Sequence, residues 1–309
     1  MDDDVSEDLT FQTRKQCPAC GGTRSNTLWQ GQFNDTDVAH YIDLYHYSGD
    51  WSAALGAAKF TLVECQECRF KYHQHILDNA SLSTVYGDWA DAEQARRFEA
   101  AHVADKGDCW AYHTKLAKLV LRLRRLIGRD TEAPRILDFG CGDGALLRVA
   151  RGFGFDATGI DVSASRSGQA LNDGYRIHHD LQALDAADSA PFDAIVLSQI
   201  LEHVADPHGL LAALEARLAP EGVLFVAVPD TAGVEVPRNF HDFTLVQPIE
   251  HINAFTPDSL RDLARRVGFV PVRRPSAFVT TQARDVLRAA GNWVYQPKTT
   301  DVFFKRTIP

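Results

Sequence analysis

The sequence has no run of eighteen apolar residues, which excludes a helix that crosses a bilayer. Its first eight residues are acidic and have no apolar centre, so neither a secretory signal nor a membrane anchor is expected, and a cytoplasmic setting is. Internal repeats and low-complexity tracts are absent too, which excludes a repeat architecture. Positive charge is in short supply: 32 Lys and Arg against 41 Asp and Glu leave −9 at pH 7. Such a molecule repels a phosphate backbone, and this argues against a sequence-independent nucleic-acid binder. Without an export signal, disulfides are not expected, and paired cysteines read first as metal ligands.

What is present is an ordinary globular composition, 45% hydrophobic and 24% charged over 309 residues. That length holds one medium catalytic domain and a smaller appendage. Four parts are expected: a disordered acidic tail over 1–15, a zinc-binding module over 16–79, a helical lead-in over 80–130, and the catalytic domain over 131–309. Four of the six cysteines form two Cys-x-x-Cys pairs, Cys17/Cys20 and Cys65/Cys68. Zinc takes four deprotonated thiolates in a tetrahedron, and two such knuckles supply them with no open position. His73 and His75 read as strand residues beside the second pair. The module between the pairs, with strands at 60–63 and 69–72, reads as poorly cored and in need of a staple.

In the lead-in, Leu116, Leu119, Val120, Leu123, Leu126 and Ile127 recur at helical spacing, and Gly128 is a stop. Its opposite face, with Lys115, Lys118, Arg122, Arg124 and Arg125, reads as solvated. From Pro134 the pattern becomes strand–helix alternation, the sign of a parallel sheet covered on both faces. Strands are expected at 135–139, 157–160, 175–178, 192–197, 223–228, 269–273 and 301–305. Asp206-Pro207 opens a helix to Leu218, residues 219–222 form a turn, and a further helix lies between Thr256 and Gly268. The fold class is α/β, a doubly wound, mostly parallel seven-stranded sheet.

Residues 136–144 read Ile-Leu-Asp-Phe-Gly-Cys-Gly-Asp-Gly, a strand running into a loop whose glycines let the backbone turn sharply and approach a ligand. The glycines alone leave two cofactors open. Gly140, Gly142 and Ala145 also satisfy a dinucleotide fingerprint, with Asp161 at the distance of a ribose-binding acid. Asp138, two residues before the first glycine, suits instead the cationic amino-acid end of S-adenosylmethionine. Cys141 reads as a small residue whose backbone matters rather than as a nucleophile. Residues 192–207 then read Phe-Asp-Ala-Ile-Val-Leu-Ser-Gln-Ile-Leu-Glu-His-Val-Ala-Asp-Pro.

With these motifs in order, the stretch from Pro134 to Gly268 resembles the class I S-adenosylmethionine methyltransferases, the branch with ubiquinone-type O-methyltransferases and bacterial sugar methyltransferases. The resemblance implies that Asp138, Gly140 and Gly142 hold the methionine end and that Asp161, with Val162 beside it, holds the ribose. Asp180 and Leu181 would face the adenine, and Ser198 and Gln199 would edge the crevice. A similar zinc segment precedes the methyltransferase domain in some sugar methyltransferases. In those enzymes a Glu-His pair resembling Glu250-His251 stands over the reacting atom, which nominates His251 as acceptor-side base with Glu250 orienting or balancing it. His203, beside Glu202, and His241 compete for that role.

The expected activity is methyl transfer from S-adenosylmethionine to a small hydroxylated metabolite, a sugar or sugar-like molecule, with a phenol or quinone as the alternative. A nicotinamide oxidoreductase and a zinc-ribbon adaptor with a non-catalytic fold are the competitors from other classes.

Overall fold

The structure, a computed structural model, describes residues 9–45, 47, 51–85, 89, 109–128, 132–277, 283–296 and 298–307. The N-terminal part runs β1 (Phe11–Thr13), β2 (Ser25–Gln32), α1 (Thr36–Leu44), α2 (Trp51–Leu55), β3 (Lys59–Cys65), β4 (Lys71–His73), β5 (His75–Leu77) and α3 (Asn79–Thr84). The strands expected near 60 and 70 are β3 and β4.

The expected tail is corrected over its second half. Residues 1–8 lie outside the described residues, but β1 pairs antiparallel with β5, and Thr10 N donates to Ser81 Oγ at 2.8 Å. The module is also better cored than its composition suggests. Phe33, Tyr41, Ile42 and Phe60 are buried together with Phe243 and Ile249 from the catalytic part. Each such side chain contributes roughly 1.5–3 kcal/mol on burial, so a metal is not the module's sole support.

Within the lead-in, residues 86–88, 90–108 and 129–130 lie outside the described residues. Its start belongs to α3, and its C-terminal part forms α4 (Cys109–Ile127), which packs Leu119, Val120 and Leu123 inward and ends at Gly128, held at φ +103°. Its basic face is not wholly solvated, because Arg122 and Arg125 donate to the carbonyls of Pro275 and Ser276.

The catalytic part continues β6 (Arg135–Phe139), α5 (Ala145–Gly152), β7 (Asp156–Ile160), α6 (Ala164–Asn172), β8 (Arg176–His178), α7 (Leu181–Ala187), β9 (Phe192–Ser198), α8 (Pro207–Glu215), β10 (Leu218–Ala227), α9 (Phe240–Val246), β11 (Asn253–Ala254), α10 (Pro257–Arg266), β12 (Phe269–Val272), α11 (Ala283–Tyr295) and β13 (Asp301–Arg306). Seven strands form one sheet in the order β12-β13-β10-β9-β6-β7-β8, with β13 running against the others. This is the mostly parallel, doubly wound sheet that the alternation implies. The strand order reverses between β6 and β9, and ligands of such sheets bind outside the carboxyl ends of the strands at that point.

Residues 219–222 differ from expectation. They lie inside β10 as a register break, since Leu218 pairs with Phe192 while Val223 pairs with Ala194. Pro220 has no N–H to give to the ladder, so the strand bulges there rather than beginning after it.

The two parts are joined by more than a linker. β11, from the long loop after β10, pairs antiparallel with β4 and completes a four-stranded sheet ordered β11-β4-β3-β2. Cys17, Ala19, Cys65, Phe70 and Tyr72 belong to the same buried cluster as Leu137, Leu197, Leu201 and Phe255. One core serves both.

Candidate active site

After β6 the chain turns through Gly140, Gly142 and Gly144, whose φ angles of +82°, +48° and +81° lie in the left-handed region. A Cβ on Gly140 would stand 2.1 Å from Ile200 Cδ1, so that glycine is needed for packing. At Gly142 a Cβ would meet nothing within 4 Å, which makes this the open side of the loop. Asp161, at the end of β7, accepts hydrogen bonds from Gly142 N at 2.8 Å and Ser163 N at 2.9 Å. Its carboxylate therefore braces the loop, and each oxygen keeps a second lone pair for a ligand.

Asp138 is 5% exposed, and burial, with the charges of Asp161 and Asp143 adding to it, pushes its carboxyl up to about 7. The carboxylates of Asp138 and Asp161 thus converge on the loop, while Asp143 is paired with Arg148 at 2.9 Å. A dinucleotide's diphosphate would meet like charge here, whereas a cation would relieve the repulsion and draw the proton off Asp138. The buried Asp138, together with Asp161, favours a cationic ligand over a diphosphate at this loop. Cys141 is buried, and burial beside Asp138 raises its thiol pKa, as befits a residue used for its backbone.

Val162, next to Asp161, is 59% exposed, and Leu181 is half-buried. Asp180 acquires a role the sequence did not announce: its Oδ1 accepts from Ala183 N at 2.7 Å and caps α7. Ser198 and Gln199 are exposed at the carboxyl end of β9. Gln199 sits at φ +59° while its N–H donates to Ala227 O at 2.8 Å. A non-glycine residue held in that region costs of order 1–3 kcal/mol, and such strain gathers at ligand sites.

On the acceptor side, Glu250 and His251 diverge. Glu250 accepts from Tyr47 Oη at 2.5 Å; burial raises its carboxyl pKa, and Tyr47 and Arg166 pull it back. The His251 ring stands edge-on to His203, with centroids 4.9 Å apart. Ligand atoms of Glu202, His203 and His251 all lie within 4.8 Å of one another, a spacing that a divalent cation could bridge. The carboxylate grouped with both imidazoles is Glu202. His241 is exposed on α9. Burial lowers His251 to about 4, with the carbonyls of Leu245 and Thr244 acting the other way. Its Nδ1 is buried with no hydrogen-bond partner among the described residues. Both Glu202 oxygens are buried without one among them as well, and burial pushes that carboxyl up to about 8. No feature of the sequence joins Glu202 to His251 or Tyr47 to Glu250.

Glu202 has a consequence for stability. Its ordinary value of 4.5 applies in the unfolded chain, so its contribution is complete below that pH and is lost as pH rises toward 8. In Glu202→Gln that loss disappears. Between pH 5 and pH 9 the unmutated protein should therefore lose on the order of 3 kcal/mol relative to the variant, read from urea midpoints. Parallel curves for the two proteins would refute the assignment.

The four paired cysteines come together. Cys17 Sγ lies 3.6 Å from Cys68 Sγ, and Cys20 Sγ lies 3.6 Å from Cys65 Sγ, with all four thiols free. Zn–S bonds of about 2.3 Å in a tetrahedron separate sulfurs by about 3.8 Å, so the spacing fits a zinc ion. Both knuckles are built alike. The residue four past each first cysteine, Gly21 or Arg69, is left-handed and returns its N–H to that cysteine's carbonyl. His73 is fully buried with Nε2 2.8 Å from Val246 O, and His75 Nδ1 lies 3.1 Å from Thr13 Oγ1. Both are strand residues, as expected.

Comparison with known proteins gives the same picture. The family described as methyltransferase domain matches residues 110–273. A ubiquinone biosynthesis O-methyltransferase of Caulobacter sp. (strain K31) is 36% identical over 159 residues, covering 48% of this chain and 61% of that protein. The enzyme of the same name from Caulobacter vibrioides is 32% identical over 206 residues, covering 58% and 78%. The chain thus spans between three fifths and four fifths of the length of these relatives. Among solved structures, the plantazolicin methyltransferase BamL in complex with SAH and a triazolic desmethyl analogue is 15% identical, covers 72% of this chain and 91% of its own, and has a TM-score of 0.49. With a family match over more than half its length, the chain belongs to the methyltransferase domain family.

Proposed function

We propose that the chain transfers the methyl group of S-adenosylmethionine to the hydroxyl oxygen of a phenol- or quinol-like small molecule, and that its four paired cysteines hold a structural zinc ion. The observation that carries this reading is the convergence of Asp138 and Asp161 on the glycine loop, because S-adenosylmethionine brings an ammonium and a sulfonium cation. Asp138, Gly140 and Gly142 hold the methionine end in this reading. Asp161 takes the ribose hydroxyls, Val162 and Leu181 line the adenine with Asp180 toward its amino group, and Ser198 and Gln199 edge the crevice. When bound, the cofactor supplies an electrophilic methyl carbon. The chain's own residues position the acceptor and take its proton, with His251 as the base.

The planar acceptor is supported by the names of the relatives and by the aromatic surroundings of Glu250, where Tyr47 packs on Tyr45 and Trp89. A sugar-like acceptor is the second reading. The specific observation for it is the four-cysteine cluster ahead of the domain, which resembles the zinc segment that precedes the domain in some sugar methyltransferases.

Calorimetry tests the cofactor. Asp138 must ionise to receive a cation, so affinity for S-adenosylmethionine should rise about tenfold from pH 6 to pH 8, with a proton released on binding. Asp138→Asn should flatten that rise. Tight binding of NADH, or no binding of S-adenosylmethionine at pH 8, would sink the reading. Methyl-labelled cofactor offered with catechols and with nucleotide sugars then separates the two acceptor classes.

A further inference from the structure

We infer that Arg14 is a positioning residue for the acceptor side, fastening the segment that carries His251 to the N-terminal module and to the turn that carries Glu202 and His203. The inference rests on the reading of His251 as base. The Arg14 guanidinium donates through Nε to His73 O at 2.9 Å and through Nη1 to Asn253 Oδ1 at 2.8 Å and Ala205 O at 3.5 Å. Through Nη2 it donates to Ile252 O at 2.5 Å, and its carbon lies 5.2 Å above the Tyr72 ring. These acceptors belong to three stretches that meet nowhere in the sequence: β4, the residues after His251, and the turn after His203.

Asn253 extends the brace. Its Nδ2 donates to Leu201 O at 2.8 Å and Val204 O at 2.7 Å, so both ends of the Glu202-His203 turn are tied. His73 N adds a bond to Ile252 O at 2.9 Å. With Glu250 held by Tyr47, His251 is suspended between two residues anchored to the N-terminal module. Only a planar fork with five N–H donors can serve four acceptors spread in this way. A lysine ammonium offers three donors at a point. The enclosure is costly for a cation: burial lowers Arg14 to about 10, with Tyr72 and Cys17 acting the other way.

The test uses the full chain, with an acceptor the unmutated protein turns over. Arg14→Ala should lower kcat by about 10–10²-fold through misplacement of His251, with affinity for S-adenosylmethionine unchanged. Arg14→Lys should recover little. Free guanidinium ion at non-denaturing concentration should restore part of the turnover of Arg14→Ala and none of that of His251→Ala. Normal kcat in Arg14→Ala, or cofactor affinity falling in step with kcat, overturns the inference. If Arg14→Ala does not fold, the same split between kcat and cofactor affinity is read in Arg14→Lys. A fully active His251→Ala would instead remove the underlying reading, which keeps the two failures apart.

Discussion

His251→Ala lowers kcat by about 10²–10⁴-fold and leaves affinity for S-adenosylmethionine nearly unchanged. Burial holds the imidazole neutral, and the Leu245 and Thr244 carbonyls hold one nitrogen while Nδ1 has no partner among the described residues. The imidazole lies beside Glu202 and His203. His203 is the more exposed of the two histidines, its side chain 23% accessible. Kinetics of His251→Ala, His203→Ala, His241→Ala and Glu250→Gln, measured with one acceptor, rank these roles. Glu250→Gln should cost less than His251→Ala, since Tyr47 and Glu250 hold the segment rather than the proton. Because His251 is lowered to about 4, kcat should persist from pH 7 down to about 5 and then fall as the imidazole protonates. An acid limb near 6.5 would point to a more exposed histidine, and normal turnover in His251→Ala would dismiss it as the base.

Cys65→Ser should empty the metal site and unsettle the whole molecule rather than its N-terminal part alone. A protein carrying about one zinc per chain falls to none, because a three-thiolate remnant lacks the closed tetrahedron. Cys65 is fully buried in the cluster that also contains Leu137, Leu197 and Leu201, under the glycine loop and the Glu202 turn. Local melting there exposes the catalytic core. We expect a single transition in which far-ultraviolet dichroism and cofactor binding are lost together, displaced downward by on the order of 10 °C or more. An early separate transition that leaves cofactor binding at its native midpoint would show the two parts to be independent. Elemental analysis finding no metal in the unmutated protein would remove the zinc.

The sequence is most informative where structure depends on near neighbours. Gly140, Gly142 and Gly144 announce a left-handed turn. Asp206-Pro207 and Thr256-Pro257 announce capped helices, and the capping box of Thr256 and Ser259 is present. Buried central strands such as β9 stand out because nearly every residue in them is apolar. Each knuckle is likewise a local object. The parts that the sequence conceals depend on residues far apart. β2 carries only Leu28 and Trp29 as large apolar residues, so no alternation marks it, and pairing with β3 makes it a strand. Arg14 reads as part of a tail because the carbonyls it serves lie up to 239 residues away. Glu250 and His251, adjacent in sequence, read as one functional pair, yet a turn sends them to different partners.

The two residues of β11 also set a schedule for the nascent chain. Tyr72 leaves the ribosome early, but Asn253, its partner across the ladder, emerges only after five of the seven strands of the large sheet. Until then β4 is an edge strand, with Phe70 and Tyr72 lacking the cover of Phe255 and the open ladder available to another polypeptide. A zinc-loaded N-terminal fragment made alone would keep that open edge, so separate expression of the two parts should favour self-association over two soluble halves.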